Sequence, residues 1–136
     1  MPLLLDTCAI IWLTNGDAVS EHCIDAINSS RESGEPIFVS PITAWEMGLL
    51  VARGRLSLLM LPQRWFDRVL QAPGARLADM SVDILIASSY LPGAPPNDPA
   101  DRIIAATARE YGYVLVTRDR ELLDYAEQGH IESLVC

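Results

Sequence analysis

Short apolar runs alternate along this chain with longer stretches in which apolar residues recur every three or four positions. Runs of the first kind read as buried strands, and stretches of the second kind as helices lying on a sheet. Leu3-Leu4-Leu5, Ile37-Phe38-Val39 and Tyr113-Val114-Leu115-Val116 are the three clear strands. Weaker ones are expected at residues 76–78 and 132–135. Helices are expected over residues 9–13, 20–31, 40–53, 62–70, 82–91, 98–111 and 120–127. The punctuation agrees with this division. Ser40-Pro41 and Asp98-Pro99 each pair a capping side chain with a proline, which the first turn tolerates because its missing donor would be unpaired there anyway. Gly54 and Gly112 stand where helices should stop. Residues 92–97 carry three prolines and a glycine and cannot be helical. Strands alternating with helices predict an α/β fold of three layers, α/β/α, with a central, mostly parallel sheet. No repeat, low-complexity tract or linker interrupts the 136 residues, so one domain over residues 1–136 is expected.

Composition narrows the class. No apolar stretch approaches the ~18 residues of a membrane span, and no basic segment precedes the first apolar run, so a cytoplasmic protein without a membrane partner is expected. Three cysteines at irregular spacing give neither a disulfide framework nor a zinc pattern. The net charge is −8, and all ten basic residues are arginine. The absence of lysine excludes a Walker A loop, a Schiff-base site and phosphotransfer that relies on an ammonium group. The acidic balance argues against binding nucleic acid by bulk electrostatics.

The chemistry-bearing residues are acids placed where apolar elements end. Asp6 directly follows the first strand, and Asp119 follows the strand ending near Val116. In open parallel sheets, ligands bind beyond the carboxyl ends of the strands. Glu46 interrupts an apolar helical stripe formed with Ile42, Leu49 and Leu50. Asp101 shares a helix face with Ile104, Ala105 and Ala108. Desolvating a lone carboxylate is costly, so acids on packed faces need a partner. Each has a structural reading too: Asp6 in a turn, Asp101 as a first-turn acid favoured by the helix dipole, Asp98 and Asp119 as helix caps. Taken together they describe carboxylates converging on a hard divalent cation, Mg2+ or Mn2+, that activates water against a phosphodiester.

These residues also match a known pattern. Leu3-Leu4-Leu5-Asp6-Thr7-Cys8 resembles the opening strand and first acid of PIN domains. Ser40-Pro41-Ile42-Thr43-Ala44-Trp45-Glu46 resembles the second acidic motif. Asp98-Pro99-Ala100-Asp101-Arg102-Ile103-Ile104-Ala105-Ala106-Thr107-Ala108 resembles the third, and Val116-Thr117-Arg118-Asp119 the fourth. The order and the length resemble PIN-domain toxins of the VapC type. The resemblance implies a metal-dependent endoribonuclease with a metal-binding quartet of Asp6, Glu46, Asp101 and Asp119. It implies support from Thr7 and Thr117, with Asp98 as helix cap or outer support. It also implies an RNA substrate, a small VapB-type antitoxin that silences the toxin, and a homodimer. Arg102, Arg118 and Arg120 flank the acids and are candidates for RNA phosphate contacts, or for ordinary salt bridges. Exposed members of the set Trp45, Leu49, Leu50, Leu58, Leu59, Leu61, Trp65 and Phe66 are candidates for partner surfaces, while most are expected in the core. Residues 57–76 carry no transferable motif. Two alternatives stand beside this reading: an α/β phosphotransfer or phosphatase domain, which the missing lysine disfavours, and a catalytically inert module on the same fold.

Overall fold

The computed structural model describes all of residues 1–136. In chain order the elements are β1 (Leu3–Leu5), α1 (Thr7–Asn15), α2 (Glu21–Ser33), β2 (Ile37–Val39), α3 (Ile42–Ala52), α4 (Pro62–Gln71), β3 (Ala75–Leu77), α5 (Val82–Ala87), α6 (Pro99–Tyr111), β4 (Val114–Thr117), α7 (Arg120–Glu127) and β5 (Glu132–Val135). The five strands form one parallel sheet in the order β3-β2-β1-β4-β5.

Side chains alternate across each strand, and the apolar runs therefore serve two layers at once. Leu3, Leu5, Ile37, Val39 and Val116 face one core with Ile10, Ile27 and Trp65 from α1, α2 and α4. Leu4 and Leu115 face the other, with Ile84, Ile104, Leu122 and Tyr125 from α5, α6 and α7. This is the expected α/β/α arrangement. Leu4 is fully buried at the centre of the sheet, and truncating such a leucine to alanine costs about 2–5 kcal/mol. The buried thiols of Cys23 and Cys136 pack against each other at 3.7 Å, and all three cysteines are free. No helix is long and apolar enough to cross a membrane.

The main departures from the sequence pattern have local causes. Helix α1 begins at Thr7 rather than residue 9, because the Asp6 carboxylate accepts the N–H of Ala9 at 2.7 Å and caps the helix directly off the strand. Helix α5 stops at Ala87 rather than residue 91. Four residues beyond Ser88 stands Pro92, which has no N–H to donate to the Ser88 carbonyl. Arg102 supplies the missing donor through Nε at 3.0 Å, and its Nη1 reaches the Pro96 carbonyl at 2.9 Å. Strands β3 and β4 are each offset by one residue from their expected positions.

Candidate metal centre

Because β1 and β4 are neighbours in register, with Leu5 opposite Val116, the residues that follow them emerge at the same edge of the sheet. Asp6 is almost fully buried there. One of its carboxylate oxygens accepts Ala9 N–H, and the other accepts a very short hydrogen bond from the Thr117 hydroxyl. Burial pushes the Asp6 carboxyl above the usual carboxylate range; Thr117 and Ala9 N–H oppose this, and the charge of Asp119 adds to it. Thr117 is itself held, since its hydroxyl oxygen accepts the N–H of Asp119 at 3.0 Å. Asp119 in turn caps α7, accepting Leu122 N–H at 3.0 Å. One threonine thus joins the acid after β1 to the acid after β4.

Glu46 sits on α3 just beyond its first turn. Its Oε1 accepts the Thr7 hydroxyl at 2.5 Å, and Thr7 Oγ1 lies 3.0 Å from Thr43 Oγ1. Burial raises the Glu46 carboxyl pKa, Thr7 lowers it, and the charges of Asp98 and Asp6 raise it further. Asp101, in the first turn of α6, is pushed up to about 7, first by burial and then by the charges of Asp98, Asp119, Glu46 and Asp6. Cys8 reports the same field. Desolvation, and then the charges of Asp6, Glu46, Asp101 and Asp119, push its thiol up to about 11. Asp6, Glu46 and Asp119, carried by separate segments, thus all act on Asp101, and the group of three carboxylates within 4.8 Å holds Asp101 and Asp119 of the four expected acids.

Asp98 has the capping role: its Oδ1 accepts the N–H groups of Ala100 at 2.8 Å and Asp101 at 3.2 Å. Its charge also acts on both Asp101 and Glu46. Two residues at the site escape sequence reasoning. Glu121, exposed in the first turn of α7, brings a carboxylate oxygen within 4.8 Å of those of Asp101 and Asp119. Thr43 is fully buried behind Thr7. Glu121 reads from sequence as an ordinary first-turn acid, and Thr43 as one more helix residue. Only its spacing, three residues before Glu46 on one helix face, hints at a link.

The flanking arginines do not neutralise these acids. Arg102 is engaged by the carbonyls of Ser88 and Pro96. Arg118 reaches the carbonyls of Cys136 at 3.1 Å and Ala18 at 3.0 Å, and its guanidinium stacks 4.0 Å from the centre of the Trp12 ring. Both carry structural work that the sequence does not reveal; Arg120 is exposed. The one ion pair in the molecule joins the N-terminal amine to Glu35. A converging set of oxygen ligands with no organic counter-cation fits a hard divalent ion, which such ligands prefer.

A separate apolar cleft of about 590 Å³ opens on the face of α1, α2 and α4, lined among others by Ile24, Ile27, Leu58, Trp65 and Val69. None of the four acids lines it. Of the apolar residues flagged as candidate surfaces, Trp65 belongs to the core, whereas Trp45, Leu59 and Leu61 are exposed.

Comparison with known proteins adds three observations. The model of the PIN domain family matches residues 3–128. Ribonuclease VapC22 of Mycobacterium tuberculosis is 30% identical over 120 residues, covering 88% of both chains. Among solved structures, VapBC2 from Rickettsia felis, bound to a DNA fragment from its promoter, superposes with a TM-score of 0.71 at 16% identity, over 99% of this chain and 98% of that chain. DNA-bound VapBC from Salmonella typhimurium gives 0.65 at 22% identity, over 99% and 98%. At these identities the structural likeness speaks for the fold.

Proposed function

The chain belongs to the PIN-domain family, and from that premise we propose that it is a toxin-type endoribonuclease that hydrolyses RNA phosphodiester bonds with Mg2+ or Mn2+. The observation that carries the proposal is the shared field of Asp6, Glu46, Asp101 and Asp119 with no arginine placed to neutralise it. In this reading the four carboxylates hold the cation. A bound divalent ion lowers the pKa of water and stabilises charge on a phosphate.

The protein's own residues supply the geometry. Thr117 and Ala9 N–H fix Asp6 in one orientation, Thr7 fixes Glu46, and the helix cap fixes Asp119. Asp101 keeps a proton up to about pH 7 in the metal-free state and must release it for its carboxylate to bind a cation. Arg120, exposed beside Asp119, is the flanking arginine best placed to meet an RNA phosphate, for which its planar fork is suited. The negative total charge then weighs against tight non-specific binding, so affinity for RNA depends on the site itself.

Partners follow from the relatives. The structural neighbours are toxin–antitoxin complexes, and we propose that a small VapB-type antitoxin silences this chain, with the apolar cleft as its seat. A homodimer and a cytoplasmic location complete the proposal.

The test is cleavage of an RNA substrate by purified protein, with Mg2+ or Mn2+ and with a chelator. The metals should support cleavage and the chelator abolish it, while Asp6→Asn and Asp101→Asn should be inactive. Variants that cut as well as the wild type would remove the assigned site. A wild type that binds no metal and cuts no RNA would favour the inert module.

A further inference from the structure

We infer that Thr43 is a positioning residue for Glu46, acting through the Thr7 hydroxyl; the inference rests on the metal-dependent reading above.

Threonines inside helices usually turn their hydroxyls back to the carbonyl four residues earlier. Thr14 and Thr107 do so, reaching Ile10 O at 2.8 Å and Ile103 O at 2.7 Å. Thr43 does not. The carbonyl four residues before it belongs to Val39 in β2, and that carbonyl accepts Ala78 N–H at 2.8 Å. The Thr43 hydroxyl instead meets Thr7 Oγ1 at 3.0 Å, across the packing of α1 on α3.

With Glu46 ionised, as a cation ligand must be, counting protons gives the direction of this pair. Thr7 has one hydroxyl hydrogen, and it goes to Glu46 Oε1 at 2.5 Å. A carboxylate has none to return. The hydrogen between the two threonines must therefore come from Thr43, and the relay runs Thr43 to Thr7 to Glu46. Both threonines are buried, so water does not compete for the bond between them, while the bond to Glu46 is part-buried. Bonds in such a chain polarise one another, which makes the second bond depend on the first.

The relay also has a spacing function. Thr7 directly follows Asp6, and Thr43 precedes Glu46 by one turn of α3. A hydroxyl contact between the two threonines fixes how far apart the first two acids stand. Glu46 Oε1 is occupied, and Oε2 remains for a cation. Thr117 does the equivalent service between Asp6 and Asp119, so Asp6 is braced by buried hydroxyls toward both Glu46 and Asp119.

The test compares the wild type with Thr43→Val, which keeps the shape and removes the hydroxyl, and Thr43→Ser, which keeps the hydroxyl. Mn2+ affinity is read by electron paramagnetic resonance, and RNA cleavage as separate kcat and KM values. Thr43→Val should weaken Mn2+ binding and lower kcat by about tenfold, the low end for outer partners of metal ligands. KM for RNA should stay within about twofold, and Thr43→Ser should restore both values. If valine packs poorly, Thr43→Ala removes the same hydroxyl and should show the same pattern. The decisive arm places Thr43→Val on a Glu46→Gln background, where the effect on Mn2+ affinity should vanish. An effect of the same size on that background, or no effect in Thr43→Val alone while the wild type binds Mn2+ and cleaves RNA, overturns the inference. A wild type that does neither removes the functional reading beneath it.

Discussion

The carboxylates at the strand ends divide into two groups. Asp6 and Glu46 are tied to threonine hydroxyls from other segments, Asp6 from β4 and Glu46 from α1. Asp101, Asp119 and Glu121 lie on or beside the starts of α6 and α7 and crowd within 4.8 Å of one another. Among them, Asp119 is held by a cap within its own helix. The first group is positioned by tertiary hydrogen bonds, and its geometry is already fixed in the metal-free protein. The second is positioned by helix starts and left in mutual repulsion, which a cation would relieve. Order and charge are thus supplied by different parts of one site.

Substitutions should expose that division. The largest effect is expected from Asp6→Asn. It removes a fixed ligand and turns an acceptor for two donors into an amide, so cleavage should fall by more than the ~100-fold upper range of outer-partner losses. Kinetics with saturating Mn2+ check this, and a loss below tenfold would show that Asp6 is structural only. Next comes Thr117→Val, which cuts the brace between Asp6 and Asp119. A drop of roughly 10–100-fold is expected, with Thr117→Ser close to wild type. Equal damage from both variants would assign the effect to packing.

A smaller, pH-dependent effect should mark the crowded group. Asp101 is raised from 3.8 to about 7 in the folded protein. A raised carboxyl contributes stability that is complete below its unfolded pKa and is lost as pH climbs through the folded one. The melting temperature of metal-free protein should therefore decline from about pH 4 to about pH 7 and level off above it, while Mn2+ affinity rises over the same range. Asp101→Asn should flatten both trends, and trends unchanged in that variant would place the titration elsewhere. The smallest effect is expected from Glu121→Gln. As an exposed member of the crowded group it should weaken Mn2+ binding only a few-fold, because exposed charges are well screened. Calorimetric titration checks this, and a loss matching Asp6→Asn would erase the distinction between the two groups.

The sequence made much of this visible, for reasons that can be named. Leu3-Leu4-Leu5 and Ile37-Phe38-Val39 read as strands because both their faces are buried, which makes the run continuous. Asp98-Pro99 marked the start of α6 because cap and proline act locally. The four acids were legible because each breaks or terminates an apolar pattern. What stayed hidden depends on contacts between distant segments. Arg102 reads as a candidate for phosphate contact until the Ser88 carbonyl, left without a donor by Pro92, is seen to claim it. Arg118 is claimed in the same way by Cys136, Ala18 and Trp12. Glu121 and Thr43 interrupt no pattern, so their significance exists only in three dimensions.

The pairing of β1 with β4 bears on when the site can assemble during synthesis. Asp6 and the threonine that orients it stand 111 residues apart. A ribosome synthesising this protein exposes the first acid early, while the strand that completes its surroundings has yet to be translated. Nascent chains shorter than that interval hold no assembled centre, and closing so long a loop delays assembly further once translation reaches it. A centre built from these acids therefore exists only in chains translated past Thr117 and Asp119.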